Sequence, residues 1–277
     1  MSIKIEKDFL VSSDENKGAY NKTVDGSTFT INQNLSIPAD ARNIKIEVSK
    51  MLVWNNFFNI KEGENNKFYI YGPKTNDEYK LFEISIYSGI YDLNTLLNDI
   101  LLELQLQDAK QEPQAIFSME PDTATGKINF ILNYDNMYIE MRSWNTFHKI
   151  LGLEEKQYII PQNKTSAYQF LGDNFAQFNS IEYILLHSNI TDKGLELNGQ
   201  TYNIIGQILP DVKSGSLIIY QPISPLKIEC DNLKGNSINN ITFWITDQDN
   251  NLLDTNKENY SMLLKLTYEK NLVYGID

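Results

Sequence analysis

A period of two governs most of this chain. Met262, Leu264, Leu266 and Tyr268 share one parity in SMLLKLTY, and Ile241, Phe243 and Ile245 share one in ITFWIT. Such spacing puts one set of apolar side chains on one face of a strand. It therefore demands sheets with a buried and a solvated face, the habit of antiparallel sandwiches and barrels. Phe29, Ile31, Leu35 and Ile37 repeat the pattern, and PADAR stops it. In IKIEVSKMLVW the pattern slips: Ile44, Ile46 and Val48 take one parity, Met51 and Val53 the other. A bulge near Ser49 absorbs such a slip.

Further strands are expected at 67–72, 80–87, 115–119, 127–133 and 137–141, then at 181–188, 201–209, 216–222 and 226–230. Tyr134, Asp135 and Asn136 are turn formers, so 127–133 and 137–141 read as a hairpin. One segment breaks the period. In YSGIYDLNTLLNDI a strand ends, Gly89 turns the chain, and Asp92 can cap a helix whose stripe is Leu93, Leu96, Leu97, Ile100, Leu101 and Leu104. A short helical turn is expected in NTFHKILGL, 145–153.

The fold class expected is mainly β: a single jelly-roll β-sandwich with an inserted small α+β module. Residues 1–26 read as a flexible N-terminal arm, 27–87 and 171–270 as the jelly roll, 88–170 as the insertion, and 271–277 as a tail.

Catalytic chemistry is hard to place. His148 and His187 lack a local partner at ligand or acid/base spacing, and read as surface or boundary residues. Cys230 sits in the apolar run LKIEC and reads as a buried structural thiol. No G-x-S-x-G elbow occurs, and TATGKIN lacks the first glycine and the final hydroxyl residue of a phosphate loop. DQDNNLLDTNKE puts Asp247, Asp249, Asn251 and Glu258 at calcium-loop positions, but Leu252 stands where that loop wants glycine and strands flank it. It reads as a solvated turn. Six N-x-[ST] triplets, at Asn21, Asn34, Asn163, Asn189, Asn240 and Asn259, are what 32 asparagines yield by chance. No catalytic, cofactor-binding or metal-ligating residue is assigned.

The net charge of −12, with Arg42 and Arg142 the only arginines, disfavours nucleic acid and anionic membranes as partners. No apolar run approaches the length of a membrane span, and the charged N-terminal stretch has no secretory h-region.

Three stretches, in this order, resemble the minor capsid (penton) proteins of virophages and Polinton-like viruses. They are ISIYSGIYDLNTLLNDI, NTFHKILGL and SINNITFWITDQDNNLLDTNKENYSMLLKLTYE. The second ends in Leu151, Gly152 and Leu153, without the phenylalanine frequent in the family. The third has Asn250 and Asn251 where the family usually carries a glycine, and asparagine tolerates positive φ. The resemblance spans roughly 27–270. It implies a non-enzymatic capsid protein, a homopentamer at the five-fold vertices of an icosahedral virion, made in the host cytoplasm. Its neighbour there would be a double jelly-roll major capsid protein. No cofactor is implied. The alternative is a sugar-binding jelly-roll module of a viral spike or fibre, which the abundant tyrosine would suit.

Overall fold

A computed structural model describes residues 2–109, 116–142, 144–159, 168–179, 181–197 and 200–271. The first strands are β1 (Ser2–Ser12), β2 (Ala19–Tyr20), β3 (Thr28–Ser36) and β4 (Arg42–Trp54). Next come β5 (Lys67–Pro73), β6 (Tyr79–Ser85), α1 (Leu93–Leu106), β7 (Phe117–Asp122), β8 (Lys127–Leu132) and β9 (Tyr138–Glu140). They are followed by α2 (His148–Leu151), β10 (Gln157–Ile159) and β11 (Tyr168–Leu171). The rest are β12 (Ile184–Ser188), β13 (Glu196–Leu197), β14 (Gln200–Thr201), β15 (Ile204–Ile208), β16 (Leu217–Tyr220), β17 (Ile228–Glu229), β18 (Ser237–Thr246) and β19 (Ser261–Asn271). The chain divides into two compact units: unit one is Met1–Phe57 with Ile181–Asp277, and unit two is Phe58–Ser180.

Unit one is a mainly antiparallel, jelly-roll-like sandwich. One sheet runs β1-β19-β4-β16, with β17 also on β4, and the other runs β15-β12-β18-β3-β2. The chain crosses between the sheets at β1–β2, β3–β4, β15–β16, β17–β18 and β18–β19, and after unit two it re-enters the second sheet at β12. Between the sheets lie Phe29, Phe243 and Tyr260, with Phe29 stacked on Phe243 and edge-on to Tyr260 at 5.2 Å. The Tyr260 hydroxyl donates to the Ser27 carbonyl at 2.8 Å, which makes its full burial affordable. Each such side chain contributes about 1.5–3 kcal/mol through burial.

Strand β4 carries the bulge. Leu263 of β19 faces Lys50 while Leu264 faces Val48, so Ser49 has no partner. Ile44, Ile46 and Val48 before it, and Met51 and Val53 after it, are all buried.

Unit two has its own core, built from sheets β10-β9-β5-β6 and β11-β8-β7 with α1 packed on β6 and β7. Phe68 is stacked on Phe147 and also meets Phe117. Asp92 caps α1: its carboxylate accepts from the Thr95 amide at 2.8 Å, and the Thr95 hydroxyl accepts from the Asp92 amide, a closed capping box. Leu96, Ile100, Leu101 and Leu104 are its buried stripe. Gly152, at φ +70°, ends α2 where a side chain would strike the Asn174 carbonyl.

Three expectations need correction. The insertion starts at 58, not 88, because β5 and β6 pair with each other and β5 with β9, and they send Phe68, Ile70, Phe82 and Ile84 into the second core. It ends at 180 rather than 170. Residues 1–26 are not a loose arm: β1 pairs along its whole length with β19 and buries Val11. Finally, β8 and β9 form no hairpin. β8 pairs with β7 and β11, while β9 pairs with β5 and β10, so 133–137 carries the chain between sheets. Of the expected tail, 272–277 lie outside the described residues.

One side chain ties the two ends of unit two. The buried Asn59 amide donates to the carbonyls of Tyr91 (2.8 Å) and Phe178 (2.9 Å) and accepts the Tyr91 amide at 2.9 Å. Replacing Asn59 by Ala strands these groups and is expected to cost about 2–3 kcal/mol by urea denaturation. At the bulge, Ser49→Ala is expected to change stability by under about 0.5 kcal/mol. Deleting Ser49 is expected to prevent folding, since one half of β4 must then turn its apolar face to water. Native-like cooperative unfolding of the deletion variant would refute that account.

Candidate functional site

Both histidines are buried, which corrects their reading as surface or boundary residues. The Thr146 hydroxyl donates to the Arg142 carbonyl at 2.6 Å, so it accepts from His148 Nδ1, 2.9 Å away. His148 Nε2 lies 3.7 Å from Glu155. Burial lowers the His148 pKa, with Glu155 opposing. His187 is stacked on Trp244 at 5.1 Å, and its Nε2 lies 2.9 Å from the Thr246 hydroxyl. That hydroxyl donates to the Asp247 carbonyl, so Nε2 carries the proton. Burial drives the His187 pKa down to about 4. Cys230 is fully buried, and burial pushes its thiol up to about 12, leaving almost no thiolate at neutral pH. None of the three offers a reactive group to solvent.

The acidic turn spends its carboxylate on its own backbone. Asp247 accepts the amides of Asp249 (2.9 Å) and Asn251 (2.8 Å), and Asn250 takes φ +64°. Among the described residues, no group of three or more His, Cys, Asp or Glu is placed to hold a metal ion. TATGKIN is the β7–β8 turn, with Gly126 at φ +69° and Asp122 accepting from the Ala124 amide and the Thr125 hydroxyl. Of the asparagine triplets, Asn163 lies outside the described residues, and Asn189 accepts the Thr242 amide. A recess of about 450 Å³ holds Asp25 and Asp254. Burial pushes Asp25 up, yet hydrogen bonds from Thr23 and Ser27 outweigh it and hold the carboxyl below its ordinary value. A general acid needs the opposite shift.

The features that stand out are surfaces of unit one. A cleft of about 420 Å³ opens where edge strands β15 and β16 face each other, lined by Gln207, Leu209, Asp211, Ile219, Tyr220 and Pro222. Beside it Ile223 is wholly exposed. An apolar band also crosses the outer face of the β1-β19-β4-β16 sheet. Leu10 sits opposite Leu263, Leu52 opposite Ile219, and Trp54 opposite Leu217. Leu10, Trp54 and Ile219 are exposed, and the other three are half-buried. The other half of that face is charged: Lys4 and Lys265 both pair with Glu6. Sequence reasoning passed over the band, whose signal is leucine at off-parity positions of core strands: Leu52 in β4 and Leu263 in β19.

No protein-family model matches the chain, and no curated protein matches it. Among solved structures, the chain is similar to the mavirus penton protein, with a TM-score of 0.50 and 12% identity, over 97% of this chain and 100% of that one. The likeness establishes a penton-like fold.

The buried His187 makes stability depend on pH. Its folded pKa of about 4 lies below the ordinary 6.5, so its contribution is complete above 6.5 and is lost as pH falls towards 4. The interval is worth roughly 3 kcal/mol. Urea midpoints measured across pH 4–7 are expected to fall over this window, and His187→Gln is expected to flatten the dependence.

Proposed function

We propose that the chain is a structural capsid protein of the penton kind. It acts by assembly and carries out no catalysis. In this reading it forms a homopentamer at the five-fold vertices of an icosahedral virion and meets a double jelly-roll major capsid protein there. The observation that carries the reading is the extent of the fold likeness: a penton protein is matched over its whole length and over nearly all of this chain, so the inserted unit is matched along with the sandwich. Two further observations support it. His148, His187 and Cys230 are buried, the Asp247 carboxylate is tied to backbone amides, and unit one presents apolar side chains on an outer sheet face.

With 24 basic and 36 acidic residues, each copy carries −12, so copies repel one another at low salt. The Debye length shrinks from about 10 Å at 0.1 M salt to about 3 Å at 1 M. Light scattering on the eluted protein is expected to show five times the 31.9 kDa chain mass, with the pentamer fraction rising with ionic strength. A strict monomer at high salt and high concentration that binds glycans would favour the sugar-binding alternative instead.

A further inference from the structure

Five-fold closure requires two different faces of one subunit to meet. Resting on the capsid reading above, we propose which faces these are in unit one: the β1 edge of one copy, led by Leu10, docks into the β15/β16 cleft of the next copy. The occupant of that cleft is thus a second copy of this chain.

The argument starts from the sheet edges. Among the described residues, β1 and β16 are the two ends of one sheet, each paired on one side. Unpaired edges left open are association sites. The two edges differ in shape. Leu10 stands out from β1 at 76% exposure, the apolar knob on a face otherwise fronted by Lys4, Glu6 and Asp8; Ile3, at the opposite parity, is less exposed. The other flank is concave, the cleft of about 420 Å³ walled by Leu209, Ile219, Tyr220 and Pro222. Knob and hollow on one molecule make a head-to-tail contact rather than a two-fold one.

Register supplies the second observation, and it decides between a ring and a filament. Leu10 faces Leu263, and Leu263 faces Lys50. The next residue of β4, Met51, faces Tyr220 in the cleft wall. Ile219 faces Leu52, one residue further on. Knob and hollow therefore lie within one to two residues of the same height, roughly 3–7 Å along the strands. A neighbour generated by rotation about an axis along the strands, with a rise of no more than this small offset, sets its Leu10 at the mouth of the cleft. A head-to-tail contact without rise closes into a ring, and one with rise gives a helix. The apolar band has the same consequence: it ends at Leu10 on one edge and at Ile219 on the other, so docking joins the bands of successive copies.

The test uses full-length chains. Leu10→Cys and Ile219→Cys are made separately; the native Cys230 is buried and should stay unreactive. Under mild oxidation, the equimolar mixture is expected to give covalent pairs, while either variant alone gives none. Leu10→Asp and Ile219→Asp are each expected to weaken assembly at least tenfold by light scattering, with circular dichroism and melting unchanged. Disulfide dimers formed by one variant alone would mean a two-fold contact and overturn the proposal. Wild-type pentamers that persist in both Asp variants overturn these faces while leaving the capsid reading standing. A wild-type chain that stays monomeric, with no cross-links in the mixture, overturns both.

Discussion

An insertion must bring the chain back to where it left, and here a single buried amide holds that closure. Asn59 lies just inside unit two, and its side chain grips Phe178 near the exit and Tyr91 just before α1. Around it the Asn59 and Ile60 amides donate to the Gly89 carbonyl, and the Gly89 amide returns a bond to Ile60. Gly89 is the glycine of YSGIYD. A side chain there would come within 2.9 Å of the Tyr91 ring. The motif is therefore a structural fastening. It is the point where the entrance, the exit and the helix of one small domain are knotted by hydrogen bonds, and the rest of unit two hangs from it.

Unit one has an analogous constraint in β4. Its inward side chains must reach the core on both sides of Ser49, and it pairs with β19 on one side and with β16 and β17 on the other. An unpaired residue is the least costly way to reconcile a parity slip with two fixed partners, because the alternative exposes several large side chains. The buried polar residues obey the same economy. His187, Thr246 and Asp247 form a chain of donors and acceptors beside Trp244, and Tyr260 reaches a carbonyl. Each of these hydrogen bonds satisfies a buried polar atom, which keeps the desolvation penalty small.

Much of this was legible in the residues. Parity located the bulge at Ser49 and the core strands β18 and β19, the helical repeat located the stripe of α1, and Asp92 is the cap its position announced. The failures have physical causes. β1 alternates too, with Ile5, Phe9 and Val11 on one side, but the polar stretches SSDENKG and NKTVDGS that follow give 1–26 the look of a solvated arm. β5 and β6 carry the same alternation as any strand of the sandwich, and nothing local says which core they enter; only their pairing with β9 assigns them to unit two. Turn residues at 134–136 mark a change of direction without specifying whether the next strand pairs with the last or joins another sheet. The histidines were misplaced because burial of a neutral imidazole leaves no sequence signature.

The surface band follows from a rule read in reverse. Off-parity leucines such as Leu52 and Leu263 weaken the case for a solvated outer face, and a monomer gains nothing from Leu10 and Ile219 in water. The charged half of the same face, with Glu6 held between Lys4 and Lys265, is what a solvated sheet face ordinarily carries. One sheet face thus has two designs, divided across the strands rather than along them. A division across the strands runs from edge to edge, so the apolar half reaches both edges of the sheet within about two residues of one height. In the proposed assembly that geometry lets the same molecule be met on both sides, and a net charge of −12 would then be the counterweight that keeps free copies apart until the edges are aligned.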